Sequence, residues 1–441
     1  MTSRPENPPA AGVARDGYPL GAAVRLADLE GDLHPVLARL RGAEPVSWLP
    51  VLNGWLVTRR DLAIQVMRDS VTFTVDDPRF STAQVVGPSM LSLDGAAHDR
   101  HRRPFTAPFS MADVHAQLAG FVTAEAGRLV AAIRPAGAAE LRRSLAGPLA
   151  VAVMARVLGL GGFDPGTILG WYDAIVGAVS QLSADAAGSG AASAGNSAAG
   201  AATAGGAATA RAAAARVELA GGAAFAQLSG SLQEAISAAA GPSLLAEVAR
   251  SGQADGRGPA GLTGTEVVSN AAVLMFGGIE TTEGMITNAL WHLLSHPDQL
   301  RLVLGDPGLV PSAVEESLRL EPAAAVVDRY ATADAELGGA QIRRGDLVSV
   351  SLAGAGRDPA TFADPDRFDI RRDNARLNLA FARGPHFCLG VHLARLEAQA
   401  ALDAALRLLP GLRLDREQLA APRGLVFRKP PALHARWDGT G

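Results

Sequence analysis

The feature that most constrains the fold is an uninterrupted helical pattern from Thr263 to Ser295. Thr263 and Glu266 have the spacing of a capping box, in which each side chain binds the backbone of the other residue. Within this segment no proline interrupts the pattern, and the next proline is Pro297. At about 1.5 Å per residue, such a helix is roughly 50 Å long and crosses a whole domain. We therefore predict one folded unit built around this helix.

The remaining pattern places helices first and strands mainly towards the C-terminus. Asn53-Gly54 between two apolar runs predicts a β-hairpin with a type I′ turn, and helical periodicity dominates from Asp61 to about Leu182. Further helices are predicted at about 211–239, 312–320 and 391–409, and strands in VVDRYATA, AELGG, DLVSVSLA, GLVF and LHARW. This order is typical of an α+β protein that is mainly α.

Two segments have compositions that disfavour packed structure. Residues 1–19 are polar and rich in proline, and residues from about 186 to 210 are almost wholly Ala, Gly, Ser and Thr. Neither has enough bulky apolar surface to offset the entropy of ordering the chain. We predict a flexible N-terminal segment at 1–19, and a single domain at 20–441 that carries a mobile Ala/Gly-rich insertion.

Charge and cysteine content argue against several classes of protein. The formal net charge is -4, so no basic excess indicates nucleic acid or an anionic membrane as a partner. No segment has the pattern of a membrane span or of a signal peptide. One cysteine cannot form an internal disulfide, which favours a reducing compartment. We expect a cytoplasmic monomer that binds neither nucleic acid nor membrane.

The single cysteine, Cys388, lies in the stretch FARGPHFCLG, directly before the last predicted helix. A lone cysteine is by default a small buried hydrophobe. Here, however, N–H groups at the start of the next helix would stabilise a thiolate. Gly384 and Gly390 would let the backbone pass close to a flat group, and Phe381 would shield the sulfur from water. These features indicate a sheltered, anionic metal ligand.

The spacing F-x-x-G-x-x-x-C-x-G resembles the haem-binding signature of the cytochrome P450 family. In that family the cysteine thiolate is the proximal ligand of haem iron and favours O–O cleavage. One departure is Ala382, where the family usually has glycine. The resemblance implies a helical triangular prism with small β-sheets. It also implies haem b buried between the long helix and the cysteine helix, with Cys388 as the axial ligand.

A second motif, GGIETT, lies in the middle of the long helix. Each mid-helix glycine costs about 1 kcal/mol relative to alanine, so Gly277 and Gly278 require a reason. Either another element packs closely there, or the helix leaves room for dioxygen over the haem. The resemblance favours the second reason and places Gly277 at the haem. It also implies that Thr281 hydrogen-bonds dioxygen while Glu280 relays protons.

Further family positions concern the haem propionates and the loop before the cysteine. The residues that the resemblance places at the propionates are His98, Arg102, Arg329 and His386. Without the resemblance, His98 and Arg102 would equally suit a solvated basic helix. The pair Glu316 and Arg319 is implied to bind Arg367 and to hold the loop that leads to Cys388, which is a structural role.

The substrate pocket implied by family position is lined mainly by small or aliphatic side chains, which indicates a lipophilic ligand. The implied lining residues are Val85, Leu91, Leu182, Phe276, Ala323, Val326, Val327, Leu425 and Val426. The Ala/Gly-rich insertion falls where the family has its lid over the substrate channel.

The resemblance implies a monooxygenase that inserts one atom of O2 into a lipophilic small molecule of secondary metabolism, by hydroxylation or epoxidation. The sequence shows no flavin fingerprint, so electrons would come from a separate ferredoxin and ferredoxin reductase, with Arg395 and Arg103 as candidate contacts. Two alternatives remain open. One is a peroxygenase of the same fold, against which Glu280-Thr281 argues. The other is a non-catalytic haem-thiolate sensor or binding protein.

Overall fold

The computed structural model describes residues 17–160, 204–238 and 261–439, together with parts of 162–178 and residue 248. The helices are α1 (Pro19–Ala22), α2 (Leu26–Glu30), α3 (His34–Ala43), α4 (Arg60–Arg68), α5 (Ser81–Val86), α6 (Gly95–Thr106), α7 (Met111–Ile133), α8 (Gly147–Leu158), α9 (Ala204–Ala238), α10 (Gly264–Ser295), α11 (Pro297–Gly305), α12 (Val310–Leu320), α13 (Leu352–Gly356) and α14 (Val391–Leu408). The strands are β1 (Val46–Leu49), β2 (Gly54–Val57), β3 (Phe73–Thr74), β4 (Ala138–Glu140), β5 (Val326–Ala331), β6 (Ala335–Leu337), β7 (Ala340–Ile342), β8 (Leu347–Ser351), β9 (Arg413–Leu414) and β10 (His434–Arg436).

The long helix α10 is confirmed, and its N-terminal cap is the predicted one. The Thr263 N–H donates to Glu266 Oε2 at 2.7 Å, and the Glu266 N–H donates to Thr263 Oγ1 at 3.3 Å. The helix is buried along most of its length and packs against α8, α9, α12 and α14. Because it contacts helices on several sides, α10 forms the centre of the helical core.

The strands form three small sheets. The largest has the order β1-β2-β8-β5-β3, in which β2 and β8 are parallel and the other neighbours are antiparallel. The second has the order β4-β10-β9, and β6 pairs with β7. A separate apolar cluster lies on the large sheet, whereas α10 and α14 belong to the main helical cluster. The mainly α, α+β class is therefore confirmed.

The predicted hairpin forms, but its predicted turn is wrong. β1 and β2 pair with Leu49 opposite Gly54, and a 3-10 turn at Pro50–Leu52 connects them. Proline sets a φ that suits the start of such a turn. Asn53 follows in the left-handed region with φ 46°, while Gly54 is already the first residue of β2.

Two other segments differ from the predictions. Helix α9 begins at Ala204, so residues 204–210 of the proposed insertion are helical, because alanine has the highest helix propensity. The remainder of that segment, residues 186–203, lies outside the described residues, as do residues 1–16 and Leu182. The stretch GLVF is not a strand and makes only isolated bridges, such as Ala324 with Phe427. In the described part of the chain, no helix is both long enough and apolar enough to cross a bilayer.

Candidate active site

The loop before α14 holds Cys388 in a closed backbone arrangement. The Cys388 N–H donates to the Phe381 carbonyl at 2.9 Å, and the Gly390 N–H donates to the sulfur. On the outer side, the Arg395 guanidinium lies over the Phe381 ring, 4.7 Å from its centre. The loop therefore presents the sulfur at the N-terminal end of α14, where the helix dipole favours an anion.

The electrostatic setting of Cys388 suits a metal-bound thiolate. Desolvation raises the pKa of the thiol, whereas the Gly390 N–H and the charges of Arg102 and Arg395 lower it. Arg102 is fixed nearby because its Nη2 donates to the Phe387 carbonyl at 2.6 Å. A metal cation on the sulfur would remove the remaining cost of ionisation in this desolvated position.

The two glycines of the loop have different roles. Gly384 has φ +76°, and a Cβ there would overlap the backbone oxygen of Met67 in α4. Gly384 therefore allows the loop to pack closely on α4, while its predicted approach to a flat ligand stays a prediction. A Cβ at Gly390 would meet no described residue within 4 Å beyond its chain neighbours, so space is open beside it. Ala382 has φ 58°, a conformation in which glycine is less strained.

The two glycines in the middle of α10 also differ. A Cβ at Gly278 would overlap the Sδ atom of Met154 in α8, so Gly278 serves helix packing. Among the described residues, a Cβ at Gly277 would meet nothing within 4 Å apart from its own helix, so they leave space open on that side. Thr281 follows one turn later and its Oγ1 donates to the Gly277 carbonyl at 2.6 Å. Close packing of another element therefore explains Gly278, whereas room for dioxygen at Gly277 stays a prediction with which this open space is consistent.

Glu280 is buried and has an ionic partner that the sequence analysis missed. Its Oε1 lies 2.8 Å from Nζ of Lys429, which also binds Glu283, one turn further along α10. Consecutive helical residues point in different directions, so Glu280 and Thr281 do not face each other. A signal was present in the sequence, because Lys429 is the only lysine of the chain.

The four residues predicted to contact the propionates lie near one another, since the charges of Arg329 and Arg102 both act on His386. His98 and His386 have ring centres 4.5 Å apart, and His386 Nε2 lies 2.9 Å from Oδ1 of Asp94. Desolvation, the largest cause, lowers the pKa of both histidines and so favours their neutral forms. Arg329 is 4% exposed, and its Nη1 donates to the Asp328 carbonyl at 2.7 Å.

These residues fit a bound haem. His98 Nε2 is a buried polar atom that finds no hydrogen-bond partner in the described part of the chain, which is costly unless an acceptor group occupies the site. The buried guanidinium of Arg329 likewise favours an anion, such as a propionate. The free thiol of Cys388 and the open space at Gly277 and Gly390 supply a ligand and room.

The predicted structural triad requires one correction. Glu316 is fully buried and pairs with Arg319 at 2.7 Å, as expected, but its second arginine is Arg372, at 3.0 Å. The Arg367 side chain is 64% exposed and lies 4.0 Å from Asp369. Only the Arg367 carbonyl takes part, accepting from Arg319 Nη2 at 3.0 Å. Arg319 also donates to the carbonyls of Gly356 and Pro365, so it does hold the loop.

Several predicted pocket residues are close neighbours in the structure. The Ala325 N–H donates to the Val426 carbonyl at 2.8 Å, which joins the segment 323–327 to 425–427. Phe276 of α10 packs edge-to-face on Phe427, with ring centres 5.5 Å apart. Phe427 was not predicted. Val85 and Leu91 lie on the helical core, Val326 and Leu425 on the cluster of α2 and α3, and Val327 on the large sheet.

The fold and this site define a haem-thiolate protein, and comparisons with known proteins agree. Residues 308–415 match the family model described as Cytochrome P450. The chain is 34% identical over 431 residues to the cytochrome P450 monooxygenase PikC of Streptomyces venezuelae, covering 93% of this chain and 92% of that protein. It is 30% identical to nocardicin C N-oxygenase of Nocardia uniformis subsp. tsuyamanensis, covering 95% and 98%.

A solved structure is similar over the same range. The crystal structure of CalO2 superposes with a TM-score of 0.78 at 29% identity, covering 94% of this chain and 98% of that one. The chain belongs to the cytochrome P450 family. It is a haem-thiolate monooxygenase that uses O2.

Proposed function

We propose that this chain is a single P450 domain over residues 20–441. It binds haem b through Cys388 and uses electrons from a separate ferredoxin to insert one oxygen atom into a lipophilic small molecule of secondary metabolism. The observation that carries the proposal is the pairing of two features on packed helices. Cys388 stands at the start of α14, and α10 opposite leaves open space at Gly277.

Each polar side chain of the site then has a defined task. Bound haem supplies the activation of O2 at its iron, with the Cys388 thiolate as ligand. Arg329, His98, Arg102 and His386 bind the propionates, and Asp94 orients His386 through the 2.9 Å contact. Thr281 holds a proton at Oγ1 next to the open side of Gly277. Because Glu280 does not face Thr281, Glu280 replaces that proton through intervening water rather than by direct contact.

Exposed arginines around the cysteine loop support an acidic electron donor such as ferredoxin. Arg60, Arg68 and Arg395 all contribute positive potential at Arg383, which lies in the loop itself. Arg68 and Arg103 are exposed. Arg395 is less suited to docking than the sequence suggested, because Glu315 binds it at 2.5 Å. A basic face next to the ligand cysteine would steer an acidic protein towards the haem.

The pocket and the relatives support a lipophilic substrate. Phe276, Val326, Val327, Leu425 and Val426 present mainly aliphatic and aromatic surface. PikC and nocardicin C N-oxygenase are oxygenases of Streptomyces and Nocardia, and both align along almost the whole chain.

The test is reconstitution of the haem-loaded protein with NADPH, ferredoxin and ferredoxin reductase. A library is first screened for ligands that shift the Soret band, and the hits are then assayed for oxygenated products. Product that requires O2 and both donor proteins supports the proposal. Product formed only with hydrogen peroxide would indicate a peroxygenase instead, and ligand binding without product would indicate a sensor or carrier.

The docking face is tested separately. Arg68→Glu and Arg103→Glu should slow reduction by ferredoxin and weaken its dependence on salt, because each reverses a steering charge. Arg301→Glu on α11 is the matched charge control. Equal reduction rates in all three variants would refute an acidic partner at this face.

A further inference from the structure

The chain uses lysine only once. Of its 40 basic Lys and Arg residues, Lys429 is the single lysine. It lies in the irregular segment before β10, and its side chain is only 10% exposed. Its ammonium binds Glu280 at 2.8 Å and also binds Glu283. The one lysine therefore lies directly behind the acid that the proposed function assigns to proton delivery.

Glu283 ties this contact to a second cation. Its Oε1 lies 3.1 Å from Nε of Arg142, which begins a π-helical turn at Arg142–Ala146. Gly147 follows, and a Cβ there would lie 3.0 Å from Glu283 Oε1, so the glycine leaves room for the carboxylate. Two carboxylates and two cations thus balance in charge, which makes this partly buried cluster electrostatically tolerable.

A surface groove reaches the same cluster. It has a volume of about 520 Å³. Its lining includes Glu30, Gly31, Arg142, Arg423, Phe427 and Lys429. Phe427 packs on Phe276 of α10, so the inner end of the groove lies against the long helix. Lys429 thus has access to groove water on one side and contacts Glu280 on the other.

The choice of lysine has a chemical consequence. Arginine keeps its proton under all ordinary conditions, whereas a lysine ammonium can release one. For a permanent buried ion pair this chain uses arginine, as in the contacts Arg319–Glu316 and Arg428–Glu321. Arginine would also offer more hydrogen bonds to two carboxylates. If the residue at position 429 only had to bind the two carboxylates, arginine would serve at least as well. Proton transfer, by contrast, requires lysine.

We propose that Lys429 passes protons from the groove to Glu280. The N–H bond at Lys429 Nζ breaks while an O–H bond forms on the Glu280 carboxylate. Glu280 then releases that proton towards the reaction site and becomes a carboxylate again, and Lys429 regains a proton from a hydronium ion of bulk solvent through water in the groove. Glu283 and Arg142 hold the lysine in place throughout. The proton is one of the two that the second atom of O2 takes up, together with two electrons from the donor protein, to form water. Because it acts through Glu280, Lys429 is a positioning residue, and its role rests on the proposed function of Glu280.

The first test compares Lys429→Arg with Lys429→Met in the haem-loaded enzyme with ferredoxin and reductase. Lys429→Arg keeps the charge but does not release a proton. We expect both variants to lose product per NADPH by about tenfold or more, with more hydrogen peroxide and a larger solvent isotope effect. Arg423→Met, which removes a cation from the same groove outside the cluster, should behave as wild type. Normal coupling in Lys429→Arg would overturn the proposal, because it would show that charge alone suffices.

The second test does not depend on catalytic activity. Labelling with [15N]lysine gives one side-chain amine signal, because the chain has one lysine. In the reduced, carbon monoxide-bound protein, we expect the Nζ protons to exchange with water at least as fast as the enzyme turns over. Exchange slower than turnover would overturn the relay even if the Lys429 variants failed to fold.

Glu280→Gln separates failure of this inference from failure of the proposed function. If it uncouples turnover while Lys429→Arg does not, the relay is wrong and the role of Glu280 stands. If Glu280→Gln forms as much product per NADPH as wild type, the proposed role of Glu280 is wrong, and the proposed relay through Lys429 is wrong as well. Wild-type protein that makes no product with any donor would refute the function, and the exchange measurement would still decide on Lys429.

Discussion

At the scale of single residues, Glu316 shows how a fully buried carboxylate selects its partners. Arg319 binds it from the same helix, while Arg372 and the Asp369 N–H, both at 3.0 Å, bind it from the loop. The charge would be costly to bury unless all its oxygens were bonded. Arg367 is close to Arg372 in sequence, but its side chain is exposed to solvent, so it does not help to neutralise Glu316.

Replacement of Arg372 should therefore destabilise the fold, whereas replacement of Arg367 should not. We expect Arg372→Ala to lower the free energy of unfolding by about 2 kcal/mol, the value of a charged hydrogen bond. Arg367→Ala should change it by no more than about 0.5 kcal/mol. Urea unfolding of both variants checks this. The reverse order of effects would restore Arg367 as the partner of Glu316.

Ala382 carries a small backbone strain that glycine would relieve. Its φ of 58° lies in the left-handed region, where a Cβ is unfavourable. We expect Ala382→Gly to stabilise the haem-loaded protein by about 1 kcal/mol, less the entropy that glycine adds to the unfolded chain. Asn53→Gly is the matched control, because asparagine tolerates its φ of 46° and should gain less. Equal gains at both sites would contradict strain at Ala382.

At the scale of elements, helix α10 has two adjacent glycines, one of which packs against another helix while the other borders open space. A Cβ at Gly278 would meet Met154 of α8, whereas one at Gly277 would meet none of the other elements described above. The same substitution should therefore have opposite effects on stability at the two sites, although the two glycines are adjacent in the sequence.

Gly278→Ala should lower the free energy of unfolding by about 1–3 kcal/mol, because its methyl group overlaps Met154. Gly277→Ala should raise it by up to about 1 kcal/mol through helix propensity, while weakening binding of carbon monoxide at the haem. Chemical unfolding and carbon monoxide titration separate the two effects. Unchanged ligand binding in Gly277→Ala would show that the open space lies away from the haem.

At the scale of the whole molecule, Glu321 joins three distant parts of the chain. His34 of α3 lies 2.8 Å from Oε2, and Arg428 lies 2.7 Å from Oε1. Burial alone would raise the pKa of Glu321, but His34, Arg428 and Arg357 outweigh it and lower the pKa to about 2. The Glu321 carboxylate, at the end of α12, thus links helix α3 to the C-terminal segment through ion pairs.

This depressed pKa predicts acid sensitivity. The stabilisation is complete above the usual value of 4.5 and is lost as pH falls towards about 2. We expect Glu321→Gln to be less stable than wild type by about 3 kcal/mol at neutral pH. The difference should shrink as pH falls below about 4.5, as measured by urea unfolding at several pH values. A difference independent of pH would show that shape rather than charge is responsible.

Much of the fold and site was predictable because the relevant interactions are local. The cap of α10 involves residues three apart, and the cysteine loop closes between Phe381 and Cys388. The partners of buried charges were harder to predict. Arg367 and Arg372 lie in one polar loop, and only the path of that loop decides which of them reaches Glu316.

By itself, the sequence determined the long helix and the mainly α class and singled out Cys388 as the candidate thiolate ligand, because local hydrogen bonding and a short motif specify them. Only the tertiary structure decided which glycine of α10 packs and which leaves space, since a neighbouring helix makes that difference. It alone also brought Lys429 to Glu283, 146 residues away. Such long-range charge pairs depend on where the whole chain buries them, and no local pattern encodes that position.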